Sequence, residues 1–265
     1  MLKDLGVRVA SAVVLGVPFI LSVHAGAPYF DWWIIAAAPL LAWEWYRLIA
    51  SDDGRFGARG VIYVLCAAMP VVAASLFAPA AALPVIAAAA LGILVSAQGS
   101  PWLAGGIVYL TAPCVALLWL RYDVQGGRET VFWLIAVVWA SDIGAYFAGR
   151  LIGGPKLAPA ISPNKTWAGV AGGAAAALVV GVLAALLTAG HALALLASVS
   201  VLLSVFAQAG DLVESWLKRR FGAKDTSALI PGHGGVLDRV DGLMTAATLW
   251  ALIVVASKGS MLPWL

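Results

Sequence analysis

Apolar stretches close to or above the roughly 20 residues needed to cross a bilayer recur along this chain, and they leave few other folds open. They fall at roughly 8–24, 29–50, 61–79, 80–97, 102–120, 130–149, 167–189, 191–210 and 240–257. A transmembrane barrel needs alternating segments of about 10 residues, whereas the run AGGAAAALVVGVLAALLTAG at 171–190 shows no alternation. The expectation is therefore an all-α polytopic bundle of about nine transmembrane helices. The chain is 63% hydrophobic with a mean hydropathy of +0.97, well beyond the roughly 45–50% apolar content of a soluble domain.

Orientation follows from Lys and Arg, which are retained on the cytoplasmic side. With the N-terminus cytoplasmic, Lys3, Arg8, Arg47, Arg55, Arg59, Arg150, Lys156, Lys165, Lys218, Arg219, Arg220, Lys224 and Arg239 fall inside, and only Arg121, Arg128 and Lys258 fall outside. The net charge of +3 thus reflects topology and gives no reason to expect a nucleic-acid partner. Residues 25–27, AGA, resemble a signal-peptidase site after the first apolar run; that run is expected to stay as a span. Cys66 and Cys114 lie inside spans and read as small buried hydrophobes.

The expected organisation is a scaffold over residues 1–125 and a catalytic region over 126–265, the latter with cytoplasmic loops at 149–166 and 211–239. In the front half, Asp31 and Glu44 stand among Trp32, Trp33, Trp43, Trp45 and Tyr46, a composition read as an interfacial aromatic belt. In the seventh stretch, Gly169 and Gly173 have the GxxxG spacing of close helix packing. The unusual chemistry lies in two segments. The first, residues 142–168, is broken by Gly153, Gly154, Pro155, Pro159 and Pro163 and cannot be one helix. The second, residues 211–242, opens as a helix, breaks at Gly222 and passes through PGHGG.

These segments concentrate acids. Asp142 lies eight residues before Arg150, about 12 Å along a helix. Asp211, Glu214, Ser215 and Lys218 share one helical face, and Asp238 and Asp241 open the last span, three apart. A carboxylate at membrane depth costs about 2.5–3.5 kcal/mol on insertion scales, and several at one depth repel one another. One or two hard cations such as Mg²⁺ would resolve this; salt bridges to the neighbouring bases would be the alternative. Lys156, Lys165, Lys218, Arg219, Arg220, Lys224 and Arg239 alternate with the acids, and Gly234 and Gly235 could bring backbone N–H groups close to phosphate oxygens. Acids for metal beside bases for oxyanions describe a phosphoryl or nucleotidyl transfer site. A phosphomonoester is largely ionised near pH 7, its second pKa being about 6, so His233 is expected to hydrogen-bond a phosphate or shape the loop rather than act as a base. His24 and His191 read as bystanders.

The stretch SWLKRRFGAKDTSALIPGHGGVLDRVDG, residues 215–242, resembles the signature of the CDP-diacylglycerol synthase (phosphatidate cytidylyltransferase) family. DIGAYFAGRLIG at 142–153 and KLAPAISPNKTWAG at 156–169 are similar to a second region of that family, with one departure: Ala168 stands where the family usually has Glu. The resemblance implies transfer of CMP from CTP to phosphatidate, giving CDP-diacylglycerol and pyrophosphate, at the cytoplasmic face of a bacterial inner membrane. It implies Asp211 and Asp238 as principal metal ligands, supported by Asp142, Glu214 and Asp241. Lys218, Arg219, Lys224 and Arg239 would act on phosphates in catalysis. Ser162, Lys165, Ser215, Lys156, Arg150, His233, Gly234 and Gly235 would contact substrate. The implied partners are CTP, phosphatidate, the bilayer and a second copy in a homodimer; the implied cofactor is Mg²⁺, with a monovalent cation such as K⁺ beside it in some members. The alternatives are another metal-dependent membrane lipid phosphotransferase, or an ion-coupled transporter, which would carry polar residues across the full membrane depth.

Overall fold

The computed structural model describes residues 2–50, 56–96, 100–122, 124–187, 193–232 and 234–258, with side chains undescribed at 2–5 and 7–9. Among these residues there are nine helices: α1 (Leu2–Ala25), α2 (Tyr29–Ile49), α3 (Ala58–Leu76), α4 (Pro79–Val95), α5 (Pro101–Tyr122), α6 (Gly127–Leu151), α7 (Trp167–Leu187), α8 (Leu193–Arg220) and α9 (Leu237–Ala256). Their positions follow the nine apolar stretches. Six of them, α3 and α5 to α9, are long and apolar enough to cross a membrane. The apolar parts of α1 and α4 are shorter, and α2 carries Asp31, Glu44 and Arg47 within its 21 residues.

The chain also contains an element the all-helical expectation lacks. Strands β1 (Lys156–Ala158) and β2 (Ser162–Thr166) pair antiparallel, with Lys156 opposite Thr166 and Ala158 opposite Ser162. The register shift between Lys156 and Ala158 accommodates the unequal strand lengths, as a bulge does. Gly153 and Gly154 precede the hairpin at φ +67° and +89°, a region open to glycine at no steric cost. The hairpin ends where Thr166 Oγ1 accepts the Gly169 N–H at 3.0 Å, an N-cap for α7.

Two compact units divide the chain, one of Met1–Trp119 with Arg220–Val240 and the other of Leu120–Arg219 with Asp241–Leu265. Residues 220–240 fall in the first of these units. Arg220 lies over the Trp102 ring at 5.1 Å and Phe221 meets the same ring edge-on. In this unit Trp45 Nε1 donates to Trp102 O and the Tyr63 hydroxyl to Leu103 O, and a Cβ at Gly106 would run into both side chains. Each of α1 to α5 carries an internal proline, Pro18, Pro39, Pro70, Pro84 and Pro113. In lipid such prolines are tolerated because neighbours and local adjustments satisfy the freed carbonyls.

The second unit is built on a seam of small residues. Gly169, Gly173, Ala177, Gly181 and Ala185 recur every fourth position on the buried face of α7, extending the GxxxG pair along the helix. Gly169 meets Ala145 O of α6 and Gly181 meets Leu196 O of α8, and beside the stripe a Cβ on Gly144 would come within 2.6 Å of Gly172 O, while one on Gly172 would strike Ala148 Cβ. Packing of this kind drives helix association where lipid removes the hydrophobic incentive. Substituting Gly172 by Val should therefore destabilise the folded protein in detergent by about 1–3 kcal/mol, the usual range for overpacking. Gly92→Ala in α4, with nothing within 4 Å of the added Cβ, should leave the thermal unfolding midpoint unchanged.

Candidate active site

With 28 residues, α8 is about 42 Å long at 1.5 Å per residue, more than the roughly 30 Å hydrocarbon core. Its last turns can therefore carry charge beyond the apolar slab while remaining one rigid rod. Asp211 and Glu214 project from these turns, and Asp241 joins them from α9. One carboxylate oxygen from each lies within 4.8 Å of the others, with Glu214 buried and the other two half-buried. The approach of α8 and α9 depends on Gly210, where a Cβ would collide with Thr245.

Two lysines enter this cluster. Lys165, from β2, reaches Asp211 Oδ2 at 2.7 Å and also donates to the carbonyl of Gln208 at 3.3 Å. Lys218 pairs with Glu214 Oε2 at 2.9 Å, one helical turn away. Ser215 Oγ donates to Asp211 Oδ1, and the Gly242 N–H to Asp241 Oδ1. Asp142, on the exposed side of α6, acts on Asp241 by its charge alongside Asp211, but lies outside the close triad. The salt-bridge alternative is thus partly realised. The close triad nevertheless offers an all-oxygen donor set, which suits a hard divalent cation such as Mg²⁺. Beneath the triad, Ser141 and Ser204 share a hydrogen bond of 2.7 Å and Gln208 Nε2 donates to both, bracing α6 against α8 one turn from Asp211.

In the first unit the 220–240 segment forms a second constellation around two carboxylates. Asp238 Oδ2 accepts from the Thr226 N–H, the Thr226 hydroxyl and the Gly235 N–H at 3.0, 3.0 and 2.8 Å. Glu44 from α2 is 0% exposed. Its Oε1 accepts from Ser227 Oγ at 2.6 Å and Val236 N at 2.8 Å, and its Oε2 from Leu237 N at 2.7 Å and Thr226 Oγ1 at 3.3 Å. The interfacial reading of Glu44 is therefore corrected. A fully buried carboxylate requires donors, and here they are supplied by residues more than 180 positions away, which no local pattern displays. Arg47, one turn further along α2, borders a cleft of about 310 Å³ with Phe221, Ala223 and Thr226 to Ala228.

The other expected residues distribute as follows. Arg150 is exposed and donates to the Tyr146 hydroxyl, Lys156 and Ser162 lie on β1 and β2, and Arg219 donates to Ile161 O at 3.5 Å. Lys224 and Arg239 are exposed on the 220–240 segment and its junction with α9. Gly234 adopts φ +84°, while the Gly235 N–H, expected to face phosphate, is given to Asp238. His233 lies outside the described residues. Sequence reasoning missed Thr226, Ser227 and the Ser141–Ser204–Gln208 brace; the one available signal was that buried polar groups in lipid seek each other.

These features define a helical protein with spans long and apolar enough to cross a membrane, a cluster of three carboxylates that could hold a metal ion, and a basic, glycine-rich loop. Residues 6–257 match the Cytidylyltransferase family, and the chain belongs to it. A phosphatidate cytidylyltransferase of Brucella suis biovar 1 (strain 1330) is 41% identical over 260 residues, 94% of this chain and 92% of that protein; the Brucella melitensis biotype 1 counterpart matches to the same extent. A phosphatidate cytidylyltransferase of Staphylococcus saprophyticus is 42% identical over 142 residues, 53% of this chain and 55% of its own.

The cation seat can be tested apart from turnover. Titration with Mn²⁺, followed by the loss of the free-ion electron paramagnetic resonance signal, should show binding to the wild-type protein. Asp241→Asn and Glu214→Gln should each weaken that binding at least tenfold.

Proposed function

We propose that this chain transfers the CMP moiety of CTP to phosphatidate, forming CDP-diacylglycerol and releasing pyrophosphate. The observation that carries the reading is the near-complete correspondence with phosphatidate cytidylyltransferases, combined with three carboxylates gathered at the end of a long membrane helix. The phosphatidate phosphate is largely ionised near neutral pH, so it needs orientation rather than a base. One of its oxygens attacks the α-phosphorus of CTP as the bond to the β-phosphate breaks. No covalent intermediate with the protein is required.

Within this reading Asp211, Glu214 and Asp241 hold Mg²⁺, with Asp142 adding negative charge nearby and a monovalent cation such as K⁺ a candidate second ion. When bound, the divalent ion supplies neutralisation of the charge that builds on the phosphates. Lys165 and Lys218 hold the ligand carboxylates in place through their salt bridges, and Ser215 fixes the second oxygen of Asp211. Asp238, which the family resemblance makes a principal ligand, gives Oδ2 to the donors of its own loop. Arg219, Lys224, Arg239 and Ser162 are assigned to phosphate oxygens, where fixed positive charge is most effective against a departing pyrophosphate.

The excess of Lys and Arg in the 150–166 and 218–239 segments supports a cytoplasmic active face and a cytoplasmic N-terminus, and the bacterial relatives support the inner membrane as the location. CTP then arrives from water and phosphatidate from the bilayer. A homodimer belongs to the same proposal. In an assay of purified protein with labelled CTP and phosphatidate, turnover should require Mg²⁺ and vanish with a chelator. Asp211→Ala and Asp238→Ala should each lower kcat by about 100-fold or more, the scale of losing one preorganised electrostatic contact. Full turnover in both variants would overturn the site assignment, and absence of CTP-dependent product in the wild type would overturn the reaction.

A further inference from the structure

Glu44 has no part in the transfer step as drawn, yet it is the most completely enclosed acid among the described residues, at 0% exposure. Its donors are all neutral and all come from one segment: the Ser227 hydroxyl and the N–H groups of Val236 and Leu237, with the Thr226 hydroxyl 3.3 Å from Oε2. Leu237 opens α9, so the carboxylate sits where the first, unsatisfied N–H groups of that helix point, the position at which a negative charge is most favourable. Thr226 is shared: its hydroxyl meets both Glu44 Oε2 and Asp238 Oδ2. Gly235 lies between the same groups, where a Cβ would come within 2.6 Å of Glu44 Oε1 and would strike Thr226 Oγ1. The segment is thus folded around the α2 carboxylate as around a template.

We propose that Glu44 is a positioning residue for the transfer reaction: through Thr226, Ser227 and the start of α9 it sets the conformation of the loop that presents Lys224, Asp238 and Arg239. The inference rests on the function proposed above. It makes α2, a helix of the front half, a determinant of activity without contact to substrate. A carboxylate turns two acceptor oxygens, and no donor, towards these groups. An amide would turn one N–H₂ group towards donors, and a shortened side chain would reach fewer of them.

The test combines hydrogen exchange with steady-state kinetics on the full-length protein in lipid nanodiscs, for wild type, Glu44→Gln, Glu44→Ala and Glu44→Asp. Glu44→Gln should raise amide exchange at Thr226 and across Gly235–Leu237 at least tenfold, while the β1–β2 hairpin and α7 remain as protected as in the wild type. kcat should fall at least tenfold in the same variant, and across the series loop protection and kcat should rank together, with Glu44→Asp recovering part of both. Unchanged loop exchange in Glu44→Gln would overturn the proposal. So would an equal rise in exchange in α7, which would mark general destabilisation, or an opened loop with wild-type kcat. A wild-type protein without CTP turnover would sink the reaction instead, and the exchange data would still decide whether Glu44 holds the loop.

Discussion

A carboxylate drawn partly or wholly out of water must be answered by donors or cations, and the charged groups of this protein are arranged by that requirement. Water screens exposed charges, whereas a buried setting does not, so each of these acids draws specific groups to itself. Glu214 draws Lys218, Asp211 draws Lys165 and Ser215, Asp238 draws Thr226 and Gly235, and Glu44 draws its donors from one segment. Asp211, Glu214 and Asp241 bring one oxygen each within 4.8 Å of the others, an arrangement that could hold a metal ion.

Small residues make that cluster possible. The acids can meet only if the helices that bear them approach closely, and the approach is set by glycine and alanine rather than by apolar bulk. Gly210 admits Thr245 beside the Asp211 and Asp241 turns. The α7 stripe lets α6 and α7 lie against each other, which fixes the start of α7 and with it the hairpin that delivers Lys165. The Ser141–Ser204–Gln208 contacts then pin α6 to α8. Interhelical hydrogen bonds of this sort contribute modestly in lipid, but they are directional, and direction is what a cation site needs.

The parts of this arrangement that were legible in the sequence share a short range. Nine helices followed from the lengths of apolar runs, and the shared face of Asp211, Glu214 and Lys218 from three- and four-residue spacing. The break at Gly222 followed from its chemistry, and it adopts φ +73°. The hairpin was not legible, because strands of three and five residues interrupted by Pro159 and Pro163 offer too little alternation to distinguish them from an irregular loop. Nor was the role of Glu44. Its neighbours in sequence are aromatic and suggested an interface, while its partners lie on the far side of six helices in chain order. The packing of residues 220–240 with the front helices escaped for the same reason.

The Gly234–Gly235 pair shows how a motif can be right in position and different in mechanism. Glycines beside basic residues suggest backbone N–H groups open to phosphate. Here the Gly235 N–H is taken by Asp238, and the missing side chain leaves room for Glu44 and Thr226 to close on the backbone. Gly234 adopts φ +84° and accepts the Ile230 N–H at 2.8 Å, turning the chain into α9. Both glycines therefore shape a loop in which two carboxylates occupy the donors, and any grip on phosphate falls to the side chains that this loop presents. Such a loop owes its form to long-range acids rather than to its own turn chemistry, so its geometry is inherited from α2 and α9.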